Sequence, residues 1–161
     1  MGSWGEFAAT RPDLADAGRG LLYQFGVGLA FLATTGPKGA PRVHPMCPVL
    51  TEDRLFAFIV PSPKRADLHR DGRYAMHSFP TDDNEDAFSV TGHALHESDA
   101  LIIDSVGRQY AAERKMAGLP AALGTWELFA FGVESCLLTR TTGHGDETPQ
   151  HTTWRATTRR A

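Results

Sequence analysis

Along most of this chain apolar residues fall in short runs cut by turn residues, and only a few stretches carry helical spacing. Leu14, Leu21, Leu22 and Phe25 lie roughly on one face of a helix predicted over 12–25, with Pro12 suited to its first turn. Gly18 and Gly20 weaken that helix. The period then shortens. Residues 28–35 (GLAFLATT) have strand composition, 36–41 are turn chemistry, and 42–50 form a second strand. Pro45 and Pro48 confine this strand to an edge or make it irregular. After a polar turn, 55–60 (LFAFIV) is a third strand, and hairpin spacing makes the sheet antiparallel from its start.

Residues 61–72 read as a short punctuated helix: Ser62 as N-cap, Pro63 at the first helical position, Gly72 closing the far end. Strands follow at 74–79 and 86–97, separated by an acidic loop over 80–85. Ile102, Val106 and Tyr110 recur at i, i+4, i+8, predicting a buried face on a helix over 98–115 that Gly118 and Pro120 end. Residues 126–141 read as one long or bent strand, 143–150 as a polar loop and 151–156 as a last short strand. Six or seven strands with two or three helices, without βαβ alternation, predict a mainly β fold: a β-barrel with flanking helices.

Length and composition narrow the picture. The chain has 161 residues, enough for one domain spanning 1–161. Net charge is −3, which argues against nucleic acid as a partner. The basic tail, Arg155, Arg159 and Arg160, reads as solvated. No window is apolar enough to span a membrane, and the N-terminus has neither the charged and apolar regions of a signal peptide nor a myristoylation pattern, so a cytoplasmic location is expected. Cys47 and Cys136 form no CxxC and read as free thiols, with a disulfide as the alternative.

The segment richest in chemistry is the strand-to-helix joint Ser62-Pro63-Lys64. A helix N-terminus offers unpaired N–H groups and a positive dipole end. Ser62 adds a hydroxyl, Lys64 and Arg65 add charge, and Arg42 on the neighbouring strand offers a further cation. That inventory suits a phosphate. His93 and His96 fall on opposite faces of one strand, so no metal site is expected. No Ser-His-Asp set or carboxylate pair has a catalytic spacing, and the catalytic residues stay unassigned.

The order of these features resembles the pyridoxamine 5′-phosphate oxidase-like, FMN-binding split-barrel family. The stretches that carry the likeness are LATTGPKGAPRVHPM, LFAFIVPSPKRADLHRDGRYAMHSF and FSVTGHA, with Ser62-Pro63-Lys64 ahead of Leu68 and Asp71-Gly72-Arg73 after it. The resemblance implies a six-stranded antiparallel split barrel of Greek-key type and a homodimer with two FMN sites in its cleft. It implies that Ser62, Pro63, Lys64 and Arg42 hold the phosphate, that Val43, His44, Pro45 and Met46 line the ring, and that Ser89, Trp154 and Arg155 reach the site from the partner subunit.

Three departures bear on the substrate. Pro63 stands where the oxidase usually has Arg, Cys47 where it has a basic residue, and the C-terminal Arg-x-His pattern is missing. The resemblance therefore implies an FMN-dependent oxidoreductase acting on a small molecule other than pyridoxamine phosphate. Its alternatives are an F420-dependent reductase on the same fold, or a non-catalytic flavin- or haem-binding protein.

Overall fold

The computed structural model describes residues 2–118 and 124–157. The predicted helix stop at Pro120 and the tail residues Arg159 and Arg160 lie outside them. The described elements are helices α1 (Trp4–Thr10), α2 (Pro12–Leu22), α3 (Pro63–Arg70) and α4 (Ala100–Glu113), and strands β1 (Ala30–Thr35), β2 (Pro41–Met46), β3 (Pro48–Leu50), β4 (Leu55–Ile59), β5 (Arg73–Ser78), β6 (Ala87–Glu97), β7 (Glu127–Phe131), β8 (Ser135–Arg140) and β9 (Gln150–Arg155).

Every described strand pairing is antiparallel. The main path runs β2-β1-β5-β6-β7-β4-β3. Its two ends, β2 and β3, are halves of one chain segment bent at Cys47, so the sheet curls back on itself. The prolines expected to disturb this strand flank the bend, and β2 is an edge that pairs only with β1 among the described residues. Likewise β7 and β8 run along one edge of β6 as a single strand interrupted at 132–134, which is the bent strand expected over 126–141. Counted by continuous segments this is a six-stranded barrel with β9 added outside β8.

The interruption explains Gly92. A Cβ there would stand 1.9 Å from the Gly132 carbonyl oxygen, because the chain crosses β6 at that point. Gly132 N–H donates to His93 O and Glu134 N–H to Thr91 O, so the ladder is kept through the kink. The Tyr74 hydroxyl donates to the freed Gly132 carbonyl at 3.0 Å.

Antiparallel pairing puts directly opposed residues on one face. His44, Leu32, Met76, Val90, Cys136 and Trp154 form one such row across β2, β1, β5, β6, β8 and β9. Its middle four are buried and belong to the main core, which Trp4, Phe7, Leu14 and Leu22 of α1 and α2 complete. A smaller cluster joins Val106, Ile102 and Tyr110 of α4 to Val49, Phe56 and Leu128, as the helical period predicts.

Two helical expectations need correcting. Helix α2 ends at Leu22 rather than residue 25; Gly26 turns the chain at φ +80°, and Phe25 is exposed instead of buried. Helix α1 is an additional element. It is held by a capping box in which Ser3 Oγ accepts from Glu6 N–H and the Glu6 carboxylate accepts from Ser3 N–H.

Candidate functional site

Helix α3 forms because β4 delivers Val60-Pro61-Ser62 in extended backbone to Pro63 at the first helical position. It stops at Asp71 because Gly72 takes φ +75°. Ser62 occupies the N-cap position, but its hydroxyl donates to Val60 O at 2.8 Å and makes no cap. Pro63 has no N–H and the Arg65 and Ala66 amides donate to Ser62 O, so among the described residues the Lys64 amide is the first-turn donor left without an acceptor, at a helix terminus that favours anions.

The two basic residues of that turn have different surroundings. Arg65 is committed: Nη1 donates to Thr125 O at 3.1 Å and lies 3.5 Å from Glu127 Oε1. Glu127 also meets His69 Nε2. The hydrogen bond from His69, followed by the charges of Arg65, His69 and His96, holds this carboxyl below its usual range against the effect of burial. Lys64 is half-buried, and partial burial pulls its ammonium below the ordinary lysine value while nearby Cys47 acts in the opposite sense.

Beside this turn lies a buried carboxylate that the sequence reading passed over. Asp67 is 2% exposed. Thr34 Oγ1 donates to its Oδ2 at 3.0 Å, Arg70 Nη1 donates to Oδ1 at 3.0 Å, and Arg42 Nε stands 2.9 Å from Oδ2. Burial would raise the Asp67 pKa, but Arg70, Thr34 and the charge of Arg42 outweigh it and keep the group ionised below the usual range. Arg70 also donates to Thr35 O. An Asp three residues before the end of a basic helix was the visible signal; its partners on β1 and β2 were not.

The candidate residues divide between the two faces of the sheet. Arg42, His44 and Met46 alternate onto the inner face of β2, where Met46 is buried and His44 Nε2 is buried without a hydrogen-bond partner. Val43 and Pro45 point outward and are exposed. The outer row through Pro45 continues across Phe31, His77, Ser89, Leu137 and Thr153. The row through Val43 continues across Ala33, Ala75, Thr91 and Ser135 to Arg155. Ser89 and Arg155 therefore share the outer face with Val43 and Pro45, whereas Trp154 points inward onto Phe7.

Along the ladder β9 is five strand spacings from β2, roughly 24 Å on a flat sheet. Within one subunit Arg42 of β2 meets Asp67 of α3 and Lys64 lies near Cys47 at the bend, while Ser89 stands three ladder steps from β2 and Trp154 and Arg155 five. Cys47 is half-buried and Cys136 buried; both are free, and burial pushes the Cys136 thiol up to about 12. Among the described residues no group of three or more His, Cys, Asp or Glu side chains is placed to hold a metal. No described helix is long and apolar enough to cross a membrane.

No protein-family model matches the chain, and no curated protein matches it. Solved structures do. A candidate pyridoxamine 5′-phosphate oxidase from Listeria innocua is 13% identical, with 76% of this chain and 95% of that one covered and a TM-score of 0.62. The chain is a split-barrel protein. An F420 reductase shares the fold at 17% identity over 67% of this chain and 87% of that one, TM-score 0.51. A haem-binding protein from Mycobacterium smegmatis does so at 15% identity over 85% of this chain and 57% of that one, TM-score 0.56. This split barrel thus shares its architecture with proteins named for different cofactors, and its own side chains must discriminate among them.

Proposed function

We propose that this split barrel is an FMN-dependent oxidoreductase acting on a small molecule, with pyridoxamine phosphate set aside as the substrate. The observation that carries the reading is the uncapped first turn of α3 with Lys64 in it, together with Arg42 held against the same helix by Asp67 and a buried, unpartnered Nε2 on His44 of β2. A free first-turn amide together with a lysine side chain suits a phosphate. A buried imidazole nitrogen without a partner suits a polar edge of a ring system, since leaving such an atom unsatisfied is costly. The residues therefore fit the cofactor.

In this reading Lys64, the 63–64 backbone and Ser62 hold the phosphate, while His44 and Met46 orient the ring and keep water from one face. A bound flavin supplies the hydride or electron transfer.

The site is completed by a second copy of the chain. On the outer sheet face Phe31, Ala33, Val43, Pro45 and Ala75 form an apolar patch across β2, β1 and β5, with Val43 62% exposed, while Leu137 stands beyond His77 and Ser89. A contiguous apolar face of this kind favours symmetric closure. Ser89 and Arg155 on the same face then belong to the partner's site.

The test is the absorbance spectrum and mass of the small molecule that copurifies with the protein from a host able to make FMN, F420 and haem. FMN is expected. A deazaflavin or a haem in its place would overturn this reading and select the corresponding alternative.

A further inference from the structure

We infer that Asp67 is a positioning residue for the cofactor's phosphate, acting through Arg42; this rests on the FMN reading above. A carboxylate buried to this degree is costly unless paired and hydrogen-bonded. One arginine would meet that need. Arg70 already donates to Oδ1 and Thr34 to Oδ2. Arg42 is the second cation, and its contact is of another kind: Nε lies 2.9 Å from Oδ2, yet is buried without an aligned hydrogen bond. Among the described residues no terminal nitrogen of Arg42 enters a hydrogen bond. Arg42 is thus held by charge, keeps its donors unspent, and leaves 40% of its side chain exposed.

Helix geometry relates the anchor of those donors to Lys64. Lys64 and Asp67 are at i and i+3 on α3, so their Cβ atoms are about 5–6 Å apart. The residue that anchors Arg42 therefore sits one turn along α3 from the lysine of the anion site. A negative charge there opposes a phosphate directly. Its use is to hold a bidentate guanidinium within reach of the same anion, with two cations on one carboxylate leaving the cluster an excess of one positive charge.

The two effects of Asp67 have opposite signs, which makes the inference testable. Asp67→Asn removes a like charge, so simple electrostatics predicts tighter FMN binding. Loss of the anchor predicts weaker FMN binding, by about tenfold or more. FMN and riboflavin are titrated against the parent and the variant. The expected result is FMN weakened and riboflavin unchanged; FMN unchanged or tightened overturns the inference, and equal loss of both ligands makes Asp67 a purely structural residue. A parent that binds riboflavin as tightly as FMN overturns the phosphate reading itself. Should Asp67→Asn fail to fold, Arg42→Lys serves at a half-exposed site. Lysine keeps the charge beside Asp67 but cannot also extend a fork to the phosphate. It should weaken FMN about tenfold and spare riboflavin; retained FMN affinity overturns the inference.

Discussion

The ring of Trp154 packs 4.9 Å from that of Phe7, tying the last described strand to the first helix. Phe7 is fully buried and also stacks on Phe88 of β6, so this contact belongs to the main core. Trp154 should therefore serve its own subunit's stability. Trp154→Ala is expected to cost about 2–3 kcal/mol, less than for a wholly buried tryptophan. In a thermal melt that is a drop of about 5–10 °C. Arg155→Ala, an exposed change on the outer face, should leave the melt unchanged. An unaltered melt for Trp154→Ala would contradict the packing role.

That placement marks where the sequence stopped being legible. Local chemistry was readable: Ser62, Pro63 and Gly72 punctuate α3 within a dozen residues, and Pro45 and Pro48 flank the bend in the second strand. The capping box of Ser3 and Glu6 was equally local, and α1 could have been read from it. What needed three dimensions stayed hidden. The inward side of Trp154 depends on its register with Cys136, and the value of Asp67 depends on Thr34 and Arg42 arriving from two other strands. Arg65 looked like a second phosphate ligand until its turn toward Thr125 and Glu127 was seen.

The two glycines of α2 carry opposite expectations. Both lower helix propensity equally, but only one has room. A Cβ on Gly18 would stand 2.6 Å from the Phe88 ring, whereas one on Gly20 would meet nothing within 4 Å. Gly20→Ala should stabilise by about 0.5–1 kcal/mol. Gly18→Ala should destabilise by about 1–3 kcal/mol through overpacking. Urea unfolding of the two variants measures both signs, and a stabilised Gly18→Ala would contradict the α2–β6 contact.

The outer sheet face predicts the assembly. The parent should scatter light as a dimer of the 17.5 kDa chain. Val43→Asp places a carboxylate at the β2 edge of the apolar patch and should shift the mass to that of the monomer at micromolar concentration. Val43 is already exposed in one chain, so its own fold should survive. A parent that is monomeric, or a Val43→Asp variant that stays dimeric, would move the interface elsewhere.

The central claim concerns the anion held at the start of α3, and Lys64 is its most direct handle. Lys64 is the basic residue of the first turn left without a committed partner, since Arg65 is bound to β7 and its approach. A charge-assisted contact to a phosphate is worth about 1.5–3 kcal/mol, or about 10- to 100-fold in affinity. The decisive measurement is a fluorescence titration of FMN and riboflavin against the parent and Lys64→Ala. FMN should bind the parent more tightly than riboflavin does and lose about 10- to 100-fold on mutation, with riboflavin barely affected. Equal losses for the two ligands, or none for FMN, would place the phosphate away from α3 and contradict the account.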